Sequence, residues 1–197
     1  ASVGVGFRDC IGGRLFRLGG LDASLNPMGE VGVFTGDGAG NVTTGSVDVN
    51  DFGTNLATGS LTGTYSVASN GRGVLTLNNG SATSNFNFYV VAAGRLNLIA
   101  SDSLPALSGI TELQAARTFS NADLSQGIAY LLNRAPSSAA VSFDVIGRAI
   151  CDGAGNITGG DQDEVLSLGA QNAITGGTYS IDATGRGTIT AESAEGA

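Results

Sequence analysis

Apolar and polar residues alternate in short runs along almost the whole chain, and Gly or Asn-Gly interrupts them at intervals of about 8–12 residues. Helical periodicity is nearly absent. Phe86, Phe88 and Val90 share one side of a run, with Asn85, Asn87 and Tyr89 on the other. Leu96, Leu98 and Ala100 continue the apolar side in the next run, and Tyr65 and Val67 stand opposite Thr64 and Ser66. The alternation predicts strands over 13–21, 29–35, 41–49, 59–68, 73–78, 84–91, 95–100 and 110–116, then over 127–133, 140–150, 157–164, 173–182 and 187–192. Residues 119–126 do not alternate and read as a linker with room for one helical turn. Val3, Val5 and Phe7 alternate with Ser2, Gly4 and Gly6, which predicts one further strand ahead of the others.

The chain also repeats itself. Residues 37–45, D-G-A-G-N-V-T-T-G, return at 152–160 as D-G-A-G-N-I-T-G-G. Thr64-Tyr65-Ser66 and Gly71-Arg72-Gly73 return as Thr178-Tyr179-Ser180 and Gly185-Arg186-Gly187. The offset is 115 residues in the first block and 114 in the second, the length of a small domain rather than of a solenoid turn. The predicted fold class is therefore all-β: two tandem antiparallel meander barrels of lipocalin- or avidin-like architecture, the second incomplete. The expected organisation is an N-terminal strand over 1–12, a first barrel over 13–118, a linker over 119–126 and a second, truncated barrel over 127–197. The second copy lacks counterparts of the runs at 84–91, 95–100 and 110–116.

Composition narrows the chemistry. There are 17 Asp and Glu against nine Arg, with no Lys, His or Trp, for a net charge of −8. Such a chain does not neutralise phosphate, so no nucleic-acid partner is expected, and it has no basic face for anionic lipid. No apolar run approaches the roughly 20 residues of a membrane helix, so no membrane insertion is expected. Without His or Lys, the Ser and Thr hydroxyls have no usual activating base, and neither Cys10 nor Cys151 has a neighbour that would lower its pKa. The expectation is a protein that is not an enzyme, with no cofactor and no metal.

Several motifs carry a functional and a plain structural meaning. The D-G-A-G-N segments could chelate calcium, but they lack the length and terminal Glu of an EF-hand loop and read as hairpin turns. N-G-R-G at 70–73 and T-G-R-G at 184–187 read as tight turns. Asp161, Asp163 and Glu164, with Asp48, Asn50 and Asp51 taken as their counterparts, read as a solvated rim; a carbohydrate-active pair using Asp163 or Glu164 is the weakest of the functional readings. The triplets at 41–43, 79–81 and 156–158 match the glycosylation sequon, as Asn- and Thr-rich composition also allows. Cys10 and Cys151 are either a disulfide, within or between subunits, or two thiols; Cys151 takes the place of Gly36 in the repeat.

The string F-T-G-D-G-A-G-N-V-T-T-G-S-V-D-V-N-D, then L-T-G-T-Y-S-V with G-R-G-V-L-T-L, then F-Y-V-V with L-N-L-I-A, resembles a tandem β-barrel repeat domain of secreted proteins from environmental bacteria, acidobacteria among them. The resemblance covers essentially all of the first repeat and the first half of the second. It implies a secreted, extracellular or cell-surface location and implies no catalytic residue. The chain departs from the pattern in its N-terminal strand, its shortened second copy and Cys151.

A barrel left short of strands exposes two edges that invite a strand from another molecule. The expected function is thus a structural subunit of an extracellular bacterial filament or surface assembly. Its partners are copies of itself, joined head-to-tail by β-strand completion, with Ser2, Val3, Val5 and Phe7 as the donor strand. The alternative is a secreted, lipocalin-like module that binds a small ligand or glycan.

Overall fold

The structure is a computed structural model that describes residues 12–134, 143–164 and 170–194. It divides into two compact units, Ala1–Ala116 and Arg117–Ala197. Both are all-β, as the alternation predicts, and every strand pairing is antiparallel.

The first unit runs β1 (Gly12–Leu21), β2 (Pro27–Gly36), β3 (Asn41–Asp51), β4 (Thr54–Ser60), β5 (Thr62–Val67), β6 (Arg72–Asn78), β7 (Thr83–Ala92), β8 (Arg95–Ala100) and β9 (Ala106–Leu113). β4 and β5 both pair with β3 and make one stave broken at Leu61, whose side chain turns into the core. β9 returns to pair with β1, so eight staves close into a barrel, with β4 paired to β3 alone among the described residues.

Each wall has one apolar and one polar face. Phe16, Phe34, Leu75, Leu77, Phe86, Phe88, Leu96, Leu98 and Leu107 fill the interior, and Phe16 and Phe34 meet with ring centroids 6.0 Å apart. The filling is nearly complete. Among the described residues, one cavity of about 20 Å³ is bordered by Phe16, Glu30, Val47 and Phe86 and another by Arg14, Phe34, Leu75 and Phe88. Either is the size of a water molecule. Arg14 is buried at the second, where its Nη1 donates to the Gly94 carbonyl at 3.1 Å.

The second unit runs β10 (Ile128–Arg134), β11 (Phe143–Cys151), β12 (Asn156–Glu164), β13 (Ala170–Ile181) and β14 (Gly187–Ser193). These five strands pair in sequence order, and among the described residues they form an open half-barrel. Its smaller core gathers Ala149, Cys151, Ile157, Ile174 and Tyr179. Residues 119–126 belong to this unit. Asn121–Leu124 forms one 3-10 turn, as the linker's composition allows, and Leu124 packs on the core. Asn121 holds the turn down: its Oδ1 accepts from the Ile181 amide at 2.8 Å, and its carbonyl accepts from the Tyr179 hydroxyl at 3.1 Å.

Two strands of the first unit differ from their sequence pattern. The stave predicted over 59–68 begins at Thr54, because T-N-L-A-T-G pairs through its backbone without alternating. The strand predicted over 110–116 lies at Ala106–Leu113 instead. Its inward row is Leu107, Gly109 and Thr111, and a glycine followed by a buried threonine hides the apolar face.

The two units share their local architecture. In both D-G-A-G-N loops the Asp amide donates to the carbonyl of the closing Asn, and the Asp carboxylate gathers the other loop donors. Asp37 accepts from the Ala39 and Asn41 amides and from Asn41 Nδ2 at 2.6 Å; Asp152 accepts from the Ala154, Gly155 and Asn156 amides and from Asn156 Nδ2 at 2.6 Å. Both oxygens of each carboxylate accept bonds from within the loop, the arrangement of a hairpin turn. Gly40 and Gly155, at φ 107° and 115°, supply backbone that other residues rarely adopt. Asp22 and Asn26 build the same loop from D-A-S-L-N. A bulge recurs at Thr35/Gly36 and Ile150/Cys151. Gly32 and Gly147 each lie under an aromatic ring: an added Cβ would stand 2.6 Å from Phe16 and 2.6 Å from the Tyr130 hydroxyl.

The Asn side chains, then the loop amides, hold the Asp37 and Asp152 carboxyls at about 2, below the ordinary 3.8. A depressed native pKa adds stability that is complete above pH 3.8 and disappears as pH falls toward 2. Asp152→Ala is therefore expected to be less stable than the parent chain at neutral pH, with the two converging toward pH 2. Thermal melts across that range check this; a stability difference that does not shrink on acidification contradicts it.

Candidate assembly face of the second unit

Register identifies which positions of the half-barrel correspond to which positions of the barrel. β10 matches β1, β11 matches β2, β12 matches β3, β13 matches the β4–β5 stave, and β14 matches β6. In the barrel β1 has a second partner in β9 and β6 has one in β7. Among the described residues β10 and β14 have no second partner, so each presents one row of unpaired N–H and C=O groups.

The side chains follow the backbone. Leu75 on β6 is 2% exposed beneath Phe86, and its counterpart Ile189 on β14 is 50% exposed. Leu18 on β1 is 6% exposed, and its counterpart Leu132 on β10 is 57% exposed. Every residue of β14 is exposed. These side chains point to the side where β7 and β9 complete the barrel in the first unit.

The inner face also carries polar groups that the barrel lacks. A row of paired residues across the first unit reads Phe16, Gly32, Val47, Gly59. The corresponding row in the second reads Tyr130, Gly147, Gln162, Asn172. Tyr130 reaches over Gly147 and donates its hydroxyl proton to Gln162 Oε1 at 2.8 Å; Gln162 Nε2 donates to Glu164 Oε1 at 2.7 Å. Glu164 occupies the position of Val49. Burial, with the Glu164 charge second, pushes the Tyr130 phenol up and keeps it a donor. Asn172 is 8% exposed and its Oδ1 is buried with no hydrogen-bond partner.

The residues singled out by sequence distribute as follows. Ser2, Val3, Val5, Phe7 and Cys10 lie outside the described residues. Cys151 is buried in the half-barrel core, its thiol pushed up by burial and then by Asp152. Asp163 and Glu164 are adjacent on one strand and so face opposite sides of the sheet, which does not place them across a common cleft. The counterparts taken for them need correcting. The 115-residue offset, kept in the register because both units share the bulge, sets Asp161 against Ser46, Asp163 against Asp48 and Glu164 against Val49. Asn50 accepts from the Gly53 amide. Asp51 lies by Asp22; burial, then the Asp22 carboxylate, pushes its carboxyl up. Arg72 and Arg186 sit at the ends of tight turns, where they accept from Ala68 and Asp182 amides through their carbonyls. Asn41 and Asn156, the acceptors of two sequons, have their amides committed to Asp37 and Asp152. Among the described residues no three His, Cys, Asp or Glu are placed to hold a metal ion, and no helix is long and apolar enough to cross a membrane.

The polar row was missed by the sequence patterns. Setting the two repeats against one another across the bulge would have exposed it, because Val47 and Val49 become Gln162 and Glu164. The chain matches no known family, no curated protein and no solved structure.

The paired positions give a direct test of which face is open. Leu75→Ala is expected to destabilise the first unit by about 2–5 kcal/mol. Ile189→Ala in the monomer is expected to change stability by about 0.5 kcal/mol or less. Urea unfolding followed by far-ultraviolet circular dichroism measures both; equal losses would mean that Ile189 is covered.

Proposed function

We propose that this chain is a structural subunit of an extracellular filament or surface assembly, which grows head-to-tail when a neighbouring copy supplies strands to the second unit. The observation that carries the proposal is the pair Leu75 and Ile189, the same position in two repeats, covered in one and bare in the other. An unpaired strand edge beside bare apolar side chains gains both backbone hydrogen bonds and burial when a strand is added. Ser2, Val3, Val5 and Phe7 of the neighbour are the donor, with their apolar side turned to the inner face. Three strands, β7 to β9, separate the corresponding edges in the closed barrel, so the donor fills one place and further segments of the neighbour fill the others. Because the accepting face and the donor are different surfaces, the contact is heterologous and propagates.

The filled interior of the first unit favours this over a ligand-carrying barrel. Phe16, Phe34, Phe86 and Phe88 occupy its centre, and the two cavities that border them are each about 20 Å³. A scaffold role also suits a chain with no His and no Lys.

Analytical ultracentrifugation and negative-stain electron microscopy test the proposal on the full 197-residue chain and on a chain lacking residues 1–10. The full chain is expected to form fibres and the shortened chain to remain monomeric. Identical fibres from the shortened chain would overturn strand donation, and a full chain that stays monomeric at every concentration would overturn the assembly itself.

A further inference from the structure

The inner face of the half-barrel carries a polar relay that ends on a carboxylate. Tyr130 spends its proton on Gln162, and Gln162 spends an amide proton on Glu164. A carboxylate only accepts, which fixes the orientation of the Gln162 amide and of the whole relay. Beside the second N–H of Gln162 and the Asn172 amide N–H groups, the relay leaves two acceptors: the second oxygen of Glu164 and the buried, unpartnered Oδ1 of Asn172. Gln162 and Asn172 are register partners, so their side chains share the inner face, and Glu164 is the diagonal neighbour of Asn172, at a spacing of roughly 7–8 Å between Cα atoms. A buried acceptor without a donor is costly, about 1–3 kcal/mol. The closed unit avoids that cost with Val47, Val49 and Gly59 in these places.

The missing group must donate several hydrogen bonds, reach across that spacing and balance a carboxylate. A planar guanidinium does all three. In an assembly made only of this chain the source is restricted, because Arg is its only cationic side chain. The closed unit shows that the architecture accepts one: Arg14 lies on the inner face of β1, 3% exposed, donating to the Gly94 carbonyl.

We propose that Asn172, Glu164 and Gln162 form a guanidinium-accepting site, and that it takes an arginine side chain from the copy that completes the second unit. The identity of the donor rests on the assembly proposed above; the site itself does not. It makes completion selective, since a strand with only apolar side chains would leave Asn172 and Glu164 buried without partners.

The test uses the full chain, kept dilute enough to be monomeric, with acetyl-arginine amide as probe and acetyl-citrulline amide as its neutral isostere. Nuclear magnetic resonance follows the Asn172 side-chain amide and the Tyr130 ring. The arginine compound is expected to shift both signals, the citrulline compound to bind at least roughly tenfold more weakly, and Glu164→Gln to remove that preference. At higher protein concentration the arginine compound is expected to slow assembly and Glu164→Gln to weaken it. Absence of a shift with acetyl-arginine amide, or equal binding of the two compounds, overturns the site. Assembly that ignores both the compound and Glu164→Gln overturns the arginine contact while leaving the assembly in place. Arginine-selective binding by a chain that never assembles overturns the assembly and leaves the site as one for a free guanidinium.

Discussion

Backbone hydrogen bonding is the constraint on which the rest of this protein depends. A β-strand presents half of its N–H and C=O groups on each side, and an antiparallel sheet pairs both sides of every strand within the protein only by closing on itself or by gaining another strand; otherwise its edges turn to water. The first unit closes: β9 pairs with β1 over eight registered positions, from Arg14 with Leu113 to Leu21 with Ala106. Among the described residues, the second unit leaves both outer strands paired on one side only. Side-chain burial follows from this difference in pairing rather than from composition. Leu18 and Leu132 are the same residue type at the same register position, buried in one unit and bare in the other.

The repeats diverge where closure differs and agree where it does not. The Asp–Asn hairpin loops, the bulge between β2 and β3 or β11 and β12, and the glycine beneath an aromatic ring are common to both. All of them shape a curved sheet, and both units contain a curved sheet. The inner face has changed instead. Phe16, Val47 and Val49 form part of an apolar core cluster, whereas Tyr130, Gln162 and Glu164 form a relay ending in a carboxylate. Polar groups on an inner face confer selectivity on whatever covers it, because an unsuitable partner strands them without hydrogen bonds.

Much of the fold was legible because strand period and turn chemistry are local. Phe86, Phe88, Leu96 and Leu98 announce their faces through alternation, and D-G-A-G-N announces its loops through residues that accept positive φ. Alternation failed where the inward residue is not apolar. Gly109 and Thr111 on β9 hid that strand's true start at Ala106. The acidic group around Asp163 drew notice as charge, yet only Glu164 faces inward, and its partners Gln162 and Tyr130 carried no local signal. A one-residue bulge decides which of these side chains share a face, and that is a property of pairing between distant segments. The segment with Val3, Val5 and Phe7, central to the proposed assembly, lies outside the described residues, so its donor role rests on sequence.

Amide hydrogen exchange read by mass spectrometry, at protein concentrations below and above the onset of assembly, addresses the two bare edges most directly. The account predicts that β10 and β14 exchange rapidly in the dilute chain and become protected as concentration rises, while β12, paired on both sides, is slow throughout. Protection of β10 and β14 equal to that of β12 in the dilute monomer would show that the chain seals its own second unit, and would contradict completion by another copy.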